Sequence, residues 1–374
     1  MTNVMRPVIR ILAMIVLLLS LSGCWDNRPV DERTLIFTLG LENGPKAHPL
    51  KIIFQFPTPT ALIDYSAHKA LSKTSPVADV SGVGRSVAQC FTQAQSKIPR
   101  DLYLGQIQLV EVASDLKPAL FRQALLAHTR IGTMDMTPFI FVTGQPLNTV
   151  MRAKTDQAQF PTLYYSGLFS CAHCQTDNLG LKLWQFAADA ETPGVDPRLP
   201  YVTIDSTNQQ IEINRIALYR HFRIVSVLSP AQTEDFGLLR GLSNKGTLFI
   251  PQDQVSLRSI HGHVRLHTAV VKGAVQATFR ITLTSTLANV GTVTETPAEN
   301  SAIAAKASVI LAQRCLELLK FTQAKDVDPL GVGRMLDWQH PNTYLKFPHW
   351  HQEYPKVAMI VHVHLRVYKL GNTK

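Results

Sequence analysis

Gln106-Ile107-Gln108-Leu109-Val110-Glu111-Val112 alternates polar and apolar residues, the period of a β-strand with one buried face. Two residues later the period changes. Leu116, Leu120, Ala124 and Ala127 recur at helical spacing behind Ser114, a residue suited to an N-cap, which predicts a helix to about His128. Pro138 to Val142 then supplies another strand. Upstream, Thr34 to Leu41 and Lys51 to Phe56 read as strands, the second stopped by Pro57 and Pro59. Residues 57–80 show no clear period and read as a loop, and a helix with Val87, Phe91 and Ala94 on one face runs from Gly84 until Pro99. The first part is therefore α/β, in the order strand, strand, helix, strand, helix, strand.

Residues 145–200 are less regular and carry five prolines, Pro146, Pro161, Pro193, Pro197 and Pro200. Thr192-Pro193-Gly194-Val195-Asp196-Pro197 is the best linker candidate, which places a domain boundary near it. Beyond it, Ile211 to Tyr219 and Phe222 to Leu228 read as short strands, followed by a helix from Gln232 to Leu242. Three later stretches alternate well: Gly262 to Val270, Ala277 to Leu287 and Val357 to Tyr368. Between the last two runs the strongest helix, about Ala298 to Gln323, with Ile303, Ala307, Ile310, Leu311, Cys315 and Leu318. The expected fold class is α+β or mixed α/β, with mixed sheets and flanking helices. The expected divisions are 1–23, 24–195 and 205–374, the last either whole or split into 205–250 and 251–374.

The amino end has a character of its own. Arg6 and Arg10 precede Ile11 to Leu21, an apolar run interrupted only by Ser20, and Ser22-Gly23 lead into Cys24. As a helix this run covers only about half of the ~30 Å hydrocarbon layer, so it reads as a signal peptide with a lipobox rather than a span. Cleavage after Gly23 would leave Cys24 as the mature first residue, carrying S-diacylglyceryl and N-acyl groups. Two or more such chains hold a protein on a membrane stably. The competing reading is an ordinary cleaved signal with an incidental cysteine.

With 17% charged and 45% hydrophobic residues in 374, the rest is a folded body. Its formal charge is +10, or 10 − 2 = +8 once Arg6 and Arg10 are removed. No clustered Lys/Arg run appears, which argues against nucleic acid. An anionic leaflet would attract such a body by about 1 kcal/mol per nearby Lys or Arg.

Among the five cysteines at 24, 90, 171, 174 and 315, Cys171-Ala172-His173-Cys174 admits a local disulfide, two free thiols, a redox pair or part of a zinc site. No second Cys-x-x-Cys completes four ligands, so neither a metal nor a cofactor is expected. His261, His263, Arg265 and His267 share one face of a strand, as do His362, His364, Arg366 and Tyr368. Each face reads as solvated or as a docking surface for anionic lipid or an acidic partner. Gly331-Val332-Gly333 lacks a preceding strand and a Gly-Lys-Ser/Thr, so it reads as a turn rather than a phosphate loop. No Gly-x-Ser-x-Gly or His-Glu-x-x-His occurs, and no catalytic residue is expected.

Several segments in order carry a resemblance. Cys24-Trp25-Asp26-Asn27-Arg28, Leu102 to Val110 with Gly105, Arg215 to Leu228, Phe236 to Gly241 and Asp328-Pro329-Leu330-Gly331-Val332-Gly333 are together similar to the Ger(x)C (GerAC-like) lipoproteins, the C subunits of spore germinant receptors. Gln106 departs from the histidine expected after Gly105. The resemblance implies a non-enzymatic lipoprotein, anchored at the outer face of the spore inner membrane, that assembles with the membrane subunits A and B during nutrient-triggered germination. Trp25, Asp26, Gly105, Asp328, Gly331 and Gly333 would be its structural motif residues. An extracytoplasmic solute-binding lipoprotein is the alternative.

Overall fold

The computed structural model describes residues 14, 29, 32–58, 76–130, 136–155, 158–171, 179–207, 209–241, 247–250, 255–289 and 296–368. Gly23, Cys24, Trp25, Asp26, His173 and Cys174 lie outside them.

The chain begins with β1 (Arg33–Leu35), β2 (Thr38–Asn43), β3 (Leu50–Pro57) and β4 (Val77–Gly84), then α1 (Val87–Gln95), β5 (Asp101–Tyr103), β6 (Leu109–Ala113) and α2 (Pro118–Arg130). It continues through β7 (Phe139–Thr143), α3 (Leu147–Met151), α4 (Pro161–Ser170), α5 (Leu183–Glu191), β8 (Arg198–Ile204), β9 (Ile211–Arg220) and β10 (Arg223–Val227). Apart from the small β1–β5 pair, these strands build one eight-stranded sheet in the order β10-β9-β8-β7-β6-β2-β3-β4. Its centre, β2, β6, β7 and β8, is parallel, and antiparallel hairpins extend it at both ends. Such a centre is buried on both sides. Leu120, Phe121, Ala124 and Phe186 cover one face, and Val150, Tyr165 and Phe169 the other.

Local propensity is overridden in three places. Val77–Gly84 is a strand where a loop is expected, because β3 supplies a full antiparallel partner. The second helix starts at Pro118, not at Ser114. Asn43 of β2 fixes the intervening turn, its Oδ1 accepting from the Lys117 amide at 3.1 Å and its Nδ2 donating to the Asp115 carbonyl at 2.7 Å. The region 145–200 holds three helices, of which α4 opens on a proline whose fixed φ suits a first turn.

The rest of the chain adds α6 (Pro230–Arg240), β11 (Thr247–Ile250), β12 (Val255–Val271), β13 (Ala274–Asn289), α7 (Pro297–Ala324), α8 (Val332–Gln339), α9 (Pro341–Tyr344), α10 (Trp350–Glu353) and β14 (Ala358–Tyr368). Strands β11 to β14 form a second sheet in sequence order, with β13 and β14 parallel. The crossover between them carries α7, which starts in a capping box of Thr296 and Glu299 around Pro297. Leu311, Cys315 and Leu318 of α7 pack with Phe279, Ile281 and Leu365. The result is a mixed α+β chain.

The strands β9 and β10, which the sequence places with the second part, hydrogen-bond into the first sheet. Their side chains explain the ambiguity. Ala217 and Tyr219 of β9 enter the first core, whereas Ile216 and Leu218 point the other way into the second.

One polar group sits badly in this frame. Glu111 at the centre of β6 is buried, neither carboxyl oxygen has a hydrogen-bond partner, and burial raises its pKa well above the usual range, so it stays protonated. Replacing a lone buried polar group by an apolar one of similar size removes that cost. Glu111→Leu is expected to stabilise the chain by about 1–2 kcal/mol, read as a higher urea midpoint; an unchanged or lower midpoint contradicts the assignment.

Candidate functional site

The predicted linker and the Asp328 motif meet. Asp328 is fully buried between α7 and α8, and its carboxylate accepts from the amides of Val332 (3.0 Å) and Gly333 (2.9 Å) and from Trp350 Nε1 (3.0 Å). Two of these donors are first-turn amides of α8, where a negative group is favoured by the helix dipole. Asp196 closes the other side reciprocally. Its amide donates to the Asp328 carbonyl at 2.8 Å, and its Oδ2 accepts from the Asp328 amide at 2.6 Å.

The glycines permit this approach. Gly331 has φ +71°, which lets the chain turn into α8. Gly333 is helical, and its job is contact: a Cβ there would lie 2.5 Å from the Trp350 ring and 2.7 Å from the Gly194 Cα. The Gly194 carbonyl accepts from the Arg334 amide at 2.8 Å. Nearby, the buried Asp189 bridges Arg198 and Arg334, each at 3.1 Å. Burial, with Arg240 nearby and Asp189 opposing, draws Arg198 down to about 9.

Beside this clamp lies an open cleft of about 500 Å³, whose polar lining includes Arg122, Glu191, Asp196, His221 and His351. His221 sits on the two-residue β9–β10 turn, where it and Phe222 both have positive φ, 49° and 62°. That conformation costs a non-glycine residue of the order of 1–2 kcal/mol. Phe222 anchors it among Phe121 and Phe186, and His221 is thereby held with its ring 6.1 Å from that of His351. His351 Nε2 is 3.7 Å from Asp196 Oδ1.

Burial pushes Asp196 up to about 7, opposed by its hydrogen bond from Asp328 and by Arg220. Burial and then Arg220 lower His351. Near pH 7 the carboxyl is therefore about half protonated, and the imidazole is held towards its neutral form. Asp328 is raised to about 6 by burial against the pull of its three donors. The cleft can exchange protons; among the described residues of its lining the one hydroxyl is Thr192, whose Oγ1 donates to the Ala188 carbonyl at 2.6 Å. No group of three or more metal-binding side chains occurs among the described residues.

Other predicted positions lie apart. Gly105 follows β5, where a Cβ would strike the Tyr103 ring. Cys171, at the end of α4, is disulfide-bonded and offers no thiolate to a metal. Cys90 and Cys315 are free and buried.

Two family descriptions match the chain on either side of this clamp. "Spore germination protein N-terminal domain" covers residues 26–204, and "Spore germination B3/ GerAC like, C-terminal" covers residues 214–371. The chain belongs to the GerAC-like spore germination proteins. Among solved structures, the crystal structure of the GerBC protein matches with a TM-score of 0.55 at 11% identity, over 88% of this chain and 96% of that one. That likeness establishes a shared fold. No curated protein matches the chain.

In this GerAC-like chain, Asp328, Gly331 and Gly333 are brought together, and they join the two matched regions. Sequence reasoning missed Asp196, His221, Trp350 and His351; Asp196 lies 132 residues from Asp328, and Trp350, 22 residues beyond it, stands in a stretch with no clear period. The only local signal was the Thr192 to Pro197 cluster, taken for a linker.

Two outcomes are expected. Gly333→Ala should cost about 1–3 kcal/mol through overpacking against Trp350, whereas Gly167→Ala, with nothing within 4 Å of its Cβ, should be neutral or better in the same denaturant titration. A carboxyl whose folded pKa is raised binds its proton more tightly when folded, so its stabilising contribution falls as pH rises, here from about 4 through about 7 for Asp196. Asp196→Asn should therefore stabilise by roughly 2–4 kcal/mol at pH 8, shrinking below about 1 kcal/mol near pH 4. A constant difference across that range contradicts the burial argument.

Proposed function

We propose that the chain is the lipid-anchored C subunit of a spore germinant receptor, acting without catalysis by assembling with the membrane subunits A and B. The observation that carries this reading is the pair of family matches over residues 26–204 and 214–371. The anchor would be Cys24, exposed by cleavage after Gly23, with Trp25 and Asp26 directly behind it. No helix among the described residues is long and apolar enough to cross a membrane. Membrane attachment by acyl chains supports the reading on physical grounds, because tethering raises the subunit's effective concentration at a partner in the same bilayer.

The proposed location is the outer face of the spore inner membrane. A solute-binding role keeps one supporting observation, the polar cleft beside Asp196 and His351. Purification from solubilised spore inner membranes separates the two. Intact protein is expected to bring down two multi-spanning subunits, and Cys24→Ala to lose or deplete them. Recovery of the protein alone in both cases favours the solute-binding role.

A further inference from the structure

The second sheet buries one side and leaves the other open. Phe279, Ile281, Leu283 and Leu365 face α7 and its neighbours, so the alternate residues of β12, β13 and β14 face outward. Strands β11 to β14 contain neither Asp nor Glu. The histidine-bearing strands β12 and β14 flank β13 on either side, and the register aligns their outward residues in rows. His263, Thr282 and His364 form one row; Arg265, Arg280 and His362 form the next; Arg366 lies opposite Thr284. Apart from the half-buried Thr284, every residue in these rows is exposed.

At a strand spacing of about 4.8 Å, Arg265 and Arg280 are direct cross-strand neighbours of like charge, a destabilising arrangement. None of the ion pairs among the described residues involves Arg265, Arg280 or Arg366. Two of these guanidiniums are instead steered along the face: Arg265 Nε donates to His263 Nε2 at 3.2 Å, and Arg366 Nε donates to His364 Nε2 at 3.3 Å.

We infer that this face lies against an anionic phospholipid surface. An acidic protein fits less well: arginine is common at protein interfaces, but their middle is built around aromatic or aliphatic anchors seated in well-packed, desolvated pockets. Here the middle is Arg280, between Arg265 and His362, and the large outward-facing apolar residues of β14, Ile360 and Tyr368, lie at opposite ends of the row. A fluid layer of anionic headgroups supplies a counter-charge beside each cation without fixed register and without stripping it of water. The contribution is about fivefold in binding per arginine near such a surface.

The test uses the full lipidated chain with Thr282→Cys carrying an environment-sensitive dye. Cys90 and Cys315 are buried and do not compete for it. Flotation with phosphatidylcholine vesicles reads the proposed anchor; shielding of the dye from a water-soluble quencher reads the face, so the two can fail separately. In vesicles containing phosphatidylglycerol the dye should be shielded, and in pure phosphatidylcholine it should not. Replacing Arg265, Arg280 and Arg366 by Gln should weaken docking about a hundredfold, and replacing them by Lys should preserve it, since lipid reads charge whereas carboxylate forks read guanidinium geometry. With the three arginines in place, raising salt from about 0.1 M to about 1 M, which shortens the screening length from about 10 Å to about 3 Å, should expose the dye. Quenching independent of lipid charge and salt, or loss of docking in the Lys variant, overturns the inference.

Discussion

Strand β9 has to satisfy two interiors at once. Ala217 and Tyr219 fill the core under the eight-stranded sheet, while Ile216 and Leu218 fill the core of the second sheet. In an edge strand the alternate side would face water and read as polar; here four consecutive buried residues leave no such side. The hairpin to β10, the aromatic cluster that pins Phe222 and the position of α6 all follow from holding this strand between two hydrophobic masses.

The contact between residues 194–196 and 328–334 adds direction to that attachment. Apolar packing alone tolerates sliding, whereas the reciprocal Asp196–Asp328 hydrogen bonds and the face-to-face glycines admit one relative placement. The arrangement also carries two buried carboxyl groups close together, each raised towards neutrality. Its electrostatic cost is therefore set by pH, and the neighbouring charges Arg220 and Asp326 tune it.

Much of the architecture could be read from periodicity. The long helix at 297–324 lies within a residue of its expected ends, and the three alternating strands of the second sheet stand where their pattern put them. What could not be read was determined by partners distant in sequence. Val77–Gly84 is a strand because β3 lies beside it, and α2 starts late because Asn43 holds the turn before it. The clamp was half visible: the spacing of Asp328, Gly331 and Gly333 stood out, and so did the Pro-Gly cluster at 192–197. Their meeting was not visible, because no local pattern reports a hydrogen bond spanning 132 residues. The histidine faces were visible as two separate strips, and only the register around β13 makes them one surface.

The parallel β13–β14 pairing has a consequence in time. Gln276 meets Ala358 only after the whole crossover has been made, so the second sheet stays open while the chain is being synthesised from its amino end. Meanwhile the long β12–β13 hairpin presents an apolar face and an unpaired edge, the features that drive nascent chains to associate. The charged residues of its other face are all basic, so two unfinished copies approaching edge to edge repel one another. The arginines that burden the finished sheet thus act as gatekeepers for the unfinished one.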